Sequence, residues 1–182
     1  MTDKGQAVID ALIVRRSCKD YLPTPVSRET LTELIDIARY SPTGANKNAW
    51  RFVAVTNRQI LNSLGQIART CSWLASAQAA IVPIVDPAAT RYWLEDSSVA
   101  AYQIWLAAEA RGLGAAWAAM YQSDNTEESN RRQGIVRGLL NIPANYNVPM
   151  IMAIGYRKSP PADKKRPELE EVIAWETFPA VQ

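Results

Sequence analysis

Polar and apolar positions divide this chain into short segments with distinct periods. Val8, Ile9, Leu12 and Ile13 recur on one side of Gln6 to Val14, which predicts a first helix. Leu31, Leu34, Ile35 and Ala38 repeat that spacing; Ser27 stands as N-cap, Val26 and Leu31 form a hydrophobic staple, and Pro42 forbids continuation. Ile60, Leu61, Leu64 and Ile67 predict a helix over Arg58 to Ala68, and Ile135, Val136, Leu139 and Leu140 another over Arg131 to Leu140. Short apolar runs between them read as strands: Phe52 to Val55, Ala79 to Val85, Ala115 to Tyr121, and Met150 to Ile154 closed by Gly155. Pro83 assigns the second run to a sheet edge or a bulge, because proline donates nothing to a ladder. Glu168 to Trp175, apolar and acidic, reads as a last strand.

Ser97 to Ala110 departs from both patterns. Between Val99 and Ala110 only Gln103 and Glu109 are polar, so this helix is apolar nearly all round and belongs inside something. It is too short to span a bilayer, which needs about 20 residues. Asp96 and Ser97 are the N-cap candidates, and Gly112 suits a left-handed C′ position. Small residues (Ala100, Ala101, Ala107, Ala108) admit another backbone, a second copy of the helix or a flat ligand; a plain alanine-rich core helix is the alternative.

Helices and strands mix without strict βαβ alternation, which predicts an α+β fold. At 182 residues with no linker or repeat, the chain reads as one domain over 1–182. Apolar residues at 48% and charged residues at 21% are those of a globular protein, and a net charge of +2 gives no nucleic-acid footprint. No apolar run is long enough for a membrane span, the first residues lack a signal-peptide core, and Cys18 and Cys71 form no CxxC pair; the expectation is a cytoplasmic, disulfide-free protein. Zero histidines excludes Ser-His-Asp and Cys-His catalysis and His-based zinc sites together. An enzyme built this way relies on a bound organic cofactor.

Two segments carry chemistry that the core does not explain. Arg15-Arg16-Ser17-Cys18-Lys19 gathers three cations with a hydroxyl: either a solvated helix end or an anion clamp, since guanidinium forks match phosphate oxygens. The loop Ser41-Pro42-Thr43-Gly44-Ala45-Asn46-Lys47-Asn48-Ala49-Trp50 is crowded with hydrogen-bonding groups between a marked helix and an apolar strand. Cys18, among these cations, is either a lowered-pKa thiol or a buried inert one. Trp50, Trp93, Trp105 and Trp117 serve as core or as a substrate platform.

Four ordered segments resemble the nitroreductase family of flavin mononucleotide (FMN) enzymes. Arg15 to Tyr21 is similar to its RRSxRxF pattern, and Ser41 to Trp50 to its PSxxNxQPW loop. The helix through Gly112-Leu113-Gly114-Ala115-Ala116-Trp117 is similar to its LaAxxLGLGxxW segment, and Ile142-Pro143, Ile154-Gly155-Tyr156 and the basic loop after them complete the set. Lys19, Thr43, Asn48 and Ala49 depart from the commonest residues. The resemblance implies an intertwined homodimer with a central mixed, mainly antiparallel sheet flanked by helices. It implies FMN held by Arg15, Arg16, Ser17, Lys19, Lys164 and Arg166 of one subunit and by Pro42, Thr43, Asn46 and Asn48 of the other, with the backbone of Ala118, Ala119 and Met120 along the ring's N5 and O4 edge. It further implies NADH or NADPH as donor, hydride transfer through flavin N5, and nitroaromatics, quinones or similar small electron-poor acceptors. Related flavin chemistry on this scaffold (dehalogenation, ene reduction, flavin fragmentation) and a non-catalytic flavin- or haem-binding module are the alternatives.

Overall fold

A computed structural model describes residues 3–161 and 163–178. Its elements run α1 (Asp3–Val14), α2 (Arg28–Ala38), β1 (Trp50–Val55), α3 (Arg58–Gly65), β2 (Ala79–Val85), α4 (Trp93–Ala110), β3 (Leu113–Ala119), α5 (Thr126–Leu140), β4 (Met150–Tyr156) and α6 (Leu169–Val172). The four strands form one antiparallel sheet in the order β1-β2-β4-β3. Its parallel component is an isolated bridge between Ser17 and Ala115.

The period of two along the inner strands builds a core on each face. Ala80, Val82 and Ile84 of β2 and Ile151 and Ala153 of β4 point to one side, where Leu61 and Leu64 of α3 and Val136 of α5 cover them. Ala79, Ile81, Met150, Met152 and Ile154 point to the other, against Leu31 and Leu34 of α2 and Ile104 and Ala108 of α4. Both faces of β2 and β4 are therefore dry, which is why they read as unbroken apolar runs. Ser27 caps α2 as expected, accepting from the Thr30 N–H at 3.1 Å, and Val26 and Leu31 are both buried.

Several boundaries differ from the sequence pattern. The helix α4 starts at Trp93, so Asp96 and Ser97 lie within its first turns: Ser97 donates back to the Trp93 carbonyl, and Asp96 bonds elsewhere. Gly155 lies inside β4 rather than closing it. Glu168 to Trp175 holds the short helix α6, with its own capping box, instead of a strand. Of the two roles open to Pro83, the edge is excluded, because β2 lies between β1 and β4. A bulge accommodates it: four steps from Ile81 to Val85 face five from Met152 to Asn147. Proline occupies the stretch where the β4 ladder is interrupted.

Among the described residues no helix is long and apolar enough to cross a membrane. Much apolar surface stays uncovered, however. Val8, Leu12 and Ile13 of α1 are exposed, Trp175 and Phe178 near the end are 78% and 83% exposed, and an apolar cavity of about 370 Å³ opens between α1 and α4. Of α4 itself, Val99 stays exposed, and Leu106, Ala107 and Ala110 line that cavity.

Candidate functional site

The chain leaves α1 as an extended segment that runs along the outer edge of β3. Ser17 bridges Ala115 in parallel, and the Cys18 N–H donates to the Ala115 carbonyl at 3.0 Å. Two close approaches fix the segment. Cys18 lies on Gly114, where a Cβ would come within 2.6 Å of its sulfur, and the Tyr21 ring lies on Gly155, where a Cβ would come within 2.7 Å. The Tyr21 hydroxyl closes the elbow by donating to the Cys18 carbonyl. Burial pushes the Cys18 thiol up; a backbone hydrogen bond at Asp20 and the nearby Arg157 charge only oppose this. Cys18 is a packing residue, and its cationic neighbour is Arg157.

Arg15, Arg16 and Ser17 face Asp163, Lys164 and Lys165 across a cavity of about 430 Å³. The Arg15 guanidinium carbon stands 4.3 Å from the Trp105 ring centroid and 5.2 Å from that of Tyr102. Its Nε is buried and has no hydrogen-bond partner. Arg16 donates to the carbonyls of Ile13 and Arg15. Arg166 reaches the Ile13 carbonyl at 3.5 Å. Lys19 lies apart from this cavity, exposed, with its ammonium 5.3 Å from the Trp73 ring centroid.

Beyond Ala115 the outer edge of β3 has no strand beside it among the described residues. In an antiparallel pair the N–H and C=O of one residue point the same way and alternate along the strand. The Ala115 and Ala119 carbonyls bond on the outer side, to Cys18 and Arg132, so the N–H groups of Trp117 and Ala119 also point outward. Ala118 faces β4, paired with Ile151, and the Met120 N–H is taken by the Pro149 carbonyl at 2.9 Å. Of these three residues only Ala119 offers its backbone N–H at the outer edge. A cavity of about 360 Å³ adjoins it, walled by Trp117, Tyr121 and Met150. Trp117 is 43% exposed there, whereas Trp50 and Trp105 are buried core.

The loop after α2 is held in an unusual conformation. Ala45, Asn46 and Asn48 all have positive φ, at 51°, 55° and 48°. Three such residues in four positions are a local cost that the surroundings sustain. The Asn48 N–H donates to the Thr43 hydroxyl, which donates to the Asn48 side chain, whose amide reaches the Asn46 carbonyl. The buried Asp96 anchors the loop by accepting from the Gly44 N–H at 2.9 Å and from the Thr90 hydroxyl at 3.3 Å. Pro42 and Thr43 line a separate cavity with Tyr92 and Val99, which shares no residue with the arginine cavity. Within one chain, the loop and the clamp do not meet.

The model of the nitroreductase family matches residues 12–88 and 68–156. The chain belongs to the nitroreductase family. It is 30% identical over 151 residues to an Archaeoglobus fulgidus protein provisionally named an NADH dehydrogenase/NAD(P)H nitroreductase, covering 81% of this chain and 83% of that one. A crystal structure from Bacteroides thetaiotaomicron under the same provisional name superposes with a TM-score of 0.86 at 29% identity, over 94% of this chain and 98% of the other. An FMN-dependent nitroreductase from Clostridium difficile gives a TM-score of 0.82 at 28% identity, covering 93% and 99%. As a member, this chain is an oxidoreductase of the nitroreductase type.

The residues of this nitroreductase fit FMN on two counts. Four cationic side chains and a hydroxyl converge on one cavity, and the unbonded, buried Nε of Arg15 lies beside it. Outward N–H groups on β3 continue from the same segment toward a space with an aromatic wall. Three contributors escape the sequence reading. Lys165 lines the clamp cavity with Lys164. Asp96 holds the loop instead of capping a helix. Glu109, one of two polar residues in the apolar part of α4, pairs with Arg157; that isolated carboxylate was the available signal.

Proposed function

We propose that this nitroreductase binds FMN between two copies of the chain and transfers reducing equivalents from NADH or NADPH to nitroaromatics, quinones or similar electron-poor acceptors, in the cytoplasm. The observation that carries the reading is the adjacency of the Arg15–Ser17 clamp to the free outer edge of β3. Arg15, Arg16, Ser17, Lys164 and Lys165 hold the phosphate, with Arg166 adding charge at the rim. Lys19, farther along the segment and resting against Trp73, brings positive charge to the ring's N1/O2 end by swinging off that face when FMN binds, a lever on flavin electronics. The Ala119 N–H donates to the N5 edge, between Ala118 and Met120, and Trp117 excludes water beside it. Bound FMN supplies hydride acceptance and delivery at N5, so the protein needs no acid or base of its own.

The separation of clamp and loop within one chain supports sharing the site between subunits. Pro42, Thr43, Asn46 and Asn48 then close the site from the second subunit. The exposed apolar residues of α1 and the end segment supply the surface for association, which isolated soluble chains rarely leave open on this scale.

The test is spectroscopic and kinetic. Purified protein incubated with FMN and repurified is yellow, and anaerobic NADH or NADPH bleaches it. Initial rates at varied donor and acceptor give parallel lines, because both must use the same ring face. A colourless protein removes the cofactor, a coloured one that no nicotinamide reduces removes the activity, and intersecting lines remove the shared face.

A further inference from the structure

We propose that Glu109 and Arg157 act as a positioning pair that holds the Arg16–Ser17 peptide in shape to receive the cofactor phosphate, an inference that rests on the FMN reading above. The two side chains form an ion pair and are only 15% and 14% exposed. Taking both charges largely out of water costs more than an apolar pair of similar size, so core packing alone gives no reason to keep them. What the pair does locally gives one. The Arg157 guanidinium also donates to the Arg16 carbonyl at 3.4 Å, while its stem lies with the Cys18 side chain against Gly114, where a Cβ would come within 2.8 Å of Cγ and 2.6 Å of the Cys18 sulfur. It therefore touches the residues on both sides of Ser17 and ties them to α4 through Glu109.

The chemistry suits a guanidinium. A planar fork can pair with a carboxylate and still present N–H groups to a carbonyl, which a lysine ammonium on a flexible stem does less well. The Arg16 carbonyl shares its peptide with the Ser17 N–H, so a charged donor on that oxygen polarises the N–H toward an anion. Glu109 in turn fixes the direction of the fork. Neither residue lines the phosphate cavity. Both act through the segment that does.

FMN and riboflavin differ only by the phosphate, so their affinity ratio reads the clamp apart from the fold. The experiment titrates both flavins into apoprotein of wild type, Glu109→Gln and the double variant Glu109→Leu/Arg157→Met, with thermal melts alongside. The double variant removes both charges together and so leaves no unpaired buried ion, which keeps it folded. FMN affinity is expected to fall about tenfold in both variants, with riboflavin affinity within about twofold of wild type. Parallel loss of both flavins would show a merely structural role and overturn the proposal. An unchanged FMN-to-riboflavin ratio in the folded double variant would overturn it as well. Wild type that binds both flavins equally would remove the phosphate clamp itself, and the positioning pair with it.

Discussion

Gly114 and Gly155 are direct cross-strand partners in β3 and β4, and each carries a side chain of the N-terminal segment on its Cα face, Cys18 on the first and Tyr21 on the second. The pair makes a flat place on an otherwise filled sheet, and the clamp segment is seated in it. Gly155→Ala puts a methyl 2.7 Å from the buried Tyr21 ring, which has no open space to move into. Overpacking of this kind costs about 1–3 kcal/mol. Urea unfolding should show that loss, and FMN titration a weaker complex, because the displaced ring carries the elbow before Leu22 with it. A variant with wild-type midpoint and wild-type FMN affinity would show that the seat is dispensable.

Asp96 makes the second prediction. Its carboxylate is buried and accepts from Gly44 and Thr90, joining α4 to the left-handed loop. Hydrogen bonds to a charged group contribute about 1.5–3 kcal/mol each. Asp96→Asn keeps the shape but halves the acceptors, so it should lower the melting temperature and expose the 43–48 backbone to faster hydrogen exchange. Unaltered exchange at Gly44 would mean that Tyr92, packed against that glycine, fixes the loop unaided.

How much of this was legible in the sequence depended on whether the signal was local. Ser27, Val26 and Leu31 announce α2 within a few residues, and that helix lies where the pattern puts it. The apolar runs of β2 and β4 mark strands dry on both faces, but nothing in Pro83 tells an edge from a bulge; that depends on a partner some 65 positions away. Asp96 looked like a cap because capping is what an aspartate before an apolar helix usually does. Its actual bond is to Gly44, 52 residues earlier. The same holds for Glu109 and Arg157, separated by 48 residues and joined only by the fold. The cationic cluster Arg15–Ser17 was readable as a clamp candidate, while the placement of Lys19 beside Trp73 was not.

A pH dependence follows from the same elbow. Burial raises the Cys18 thiol above its ordinary 9.0 and the Tyr21 phenol well above its ordinary 10.0. Both folded values lie above the unfolded ones, so the neutral forms are favoured in the native state. Their contribution to stability is complete below the unfolded values and is lost as pH rises through the folded ones. Unfolding midpoints should therefore drop on the alkaline side of pH 9, and less steeply in Tyr21→Phe. Native Cys18 should stay unreactive to thiol reagents at pH 8; rapid labelling there would contradict its buried, protonated state.

On the acid side Glu128 sets the expectation. Its carboxylate accepts from Arg131 at 2.6 Å and from Arg132 at 2.7 Å, which holds its pKa down to about 2 from an ordinary 4.5. A lowered folded value stabilises above the unfolded one and is lost as pH falls toward the folded one. Stability should decline between pH 4.5 and about 2, more shallowly in Glu128→Gln. The effect is moderated because Arg131 is solvated and Glu128 partly so. Identical acid limbs in wild type and variant would mean the pair is screened to nothing.

The last prediction joins cofactor to assembly. If the clamp of one subunit and the Thr43–Asn48 loop of another close on the same FMN, a ligand that binds only the dimer stabilises the dimer by mass action. Arg15→Ala removes a charge-assisted bond of about 1.5–3 kcal/mol, which corresponds to roughly 10- to 150-fold weaker FMN binding. It also strips a cation from the faces of Trp105 and Tyr102, so some loss of stability accompanies it. Arg15→Glu should be worse than Arg15→Ala, because it adds repulsion toward the phosphate. Asn46→Ala loses a largely neutral contact and should cost about 0.5–1.5 kcal/mol. FMN titrations of the three variants, with masses in solution followed at falling protein concentration, give the answer. Apoprotein should dissociate at higher concentration than the FMN complex, and Arg15→Ala should need more FMN to hold the dimer. Unchanged FMN affinity in Arg15→Glu would remove Arg15 from the clamp, and a monomer that binds FMN at full strength would remove the shared site.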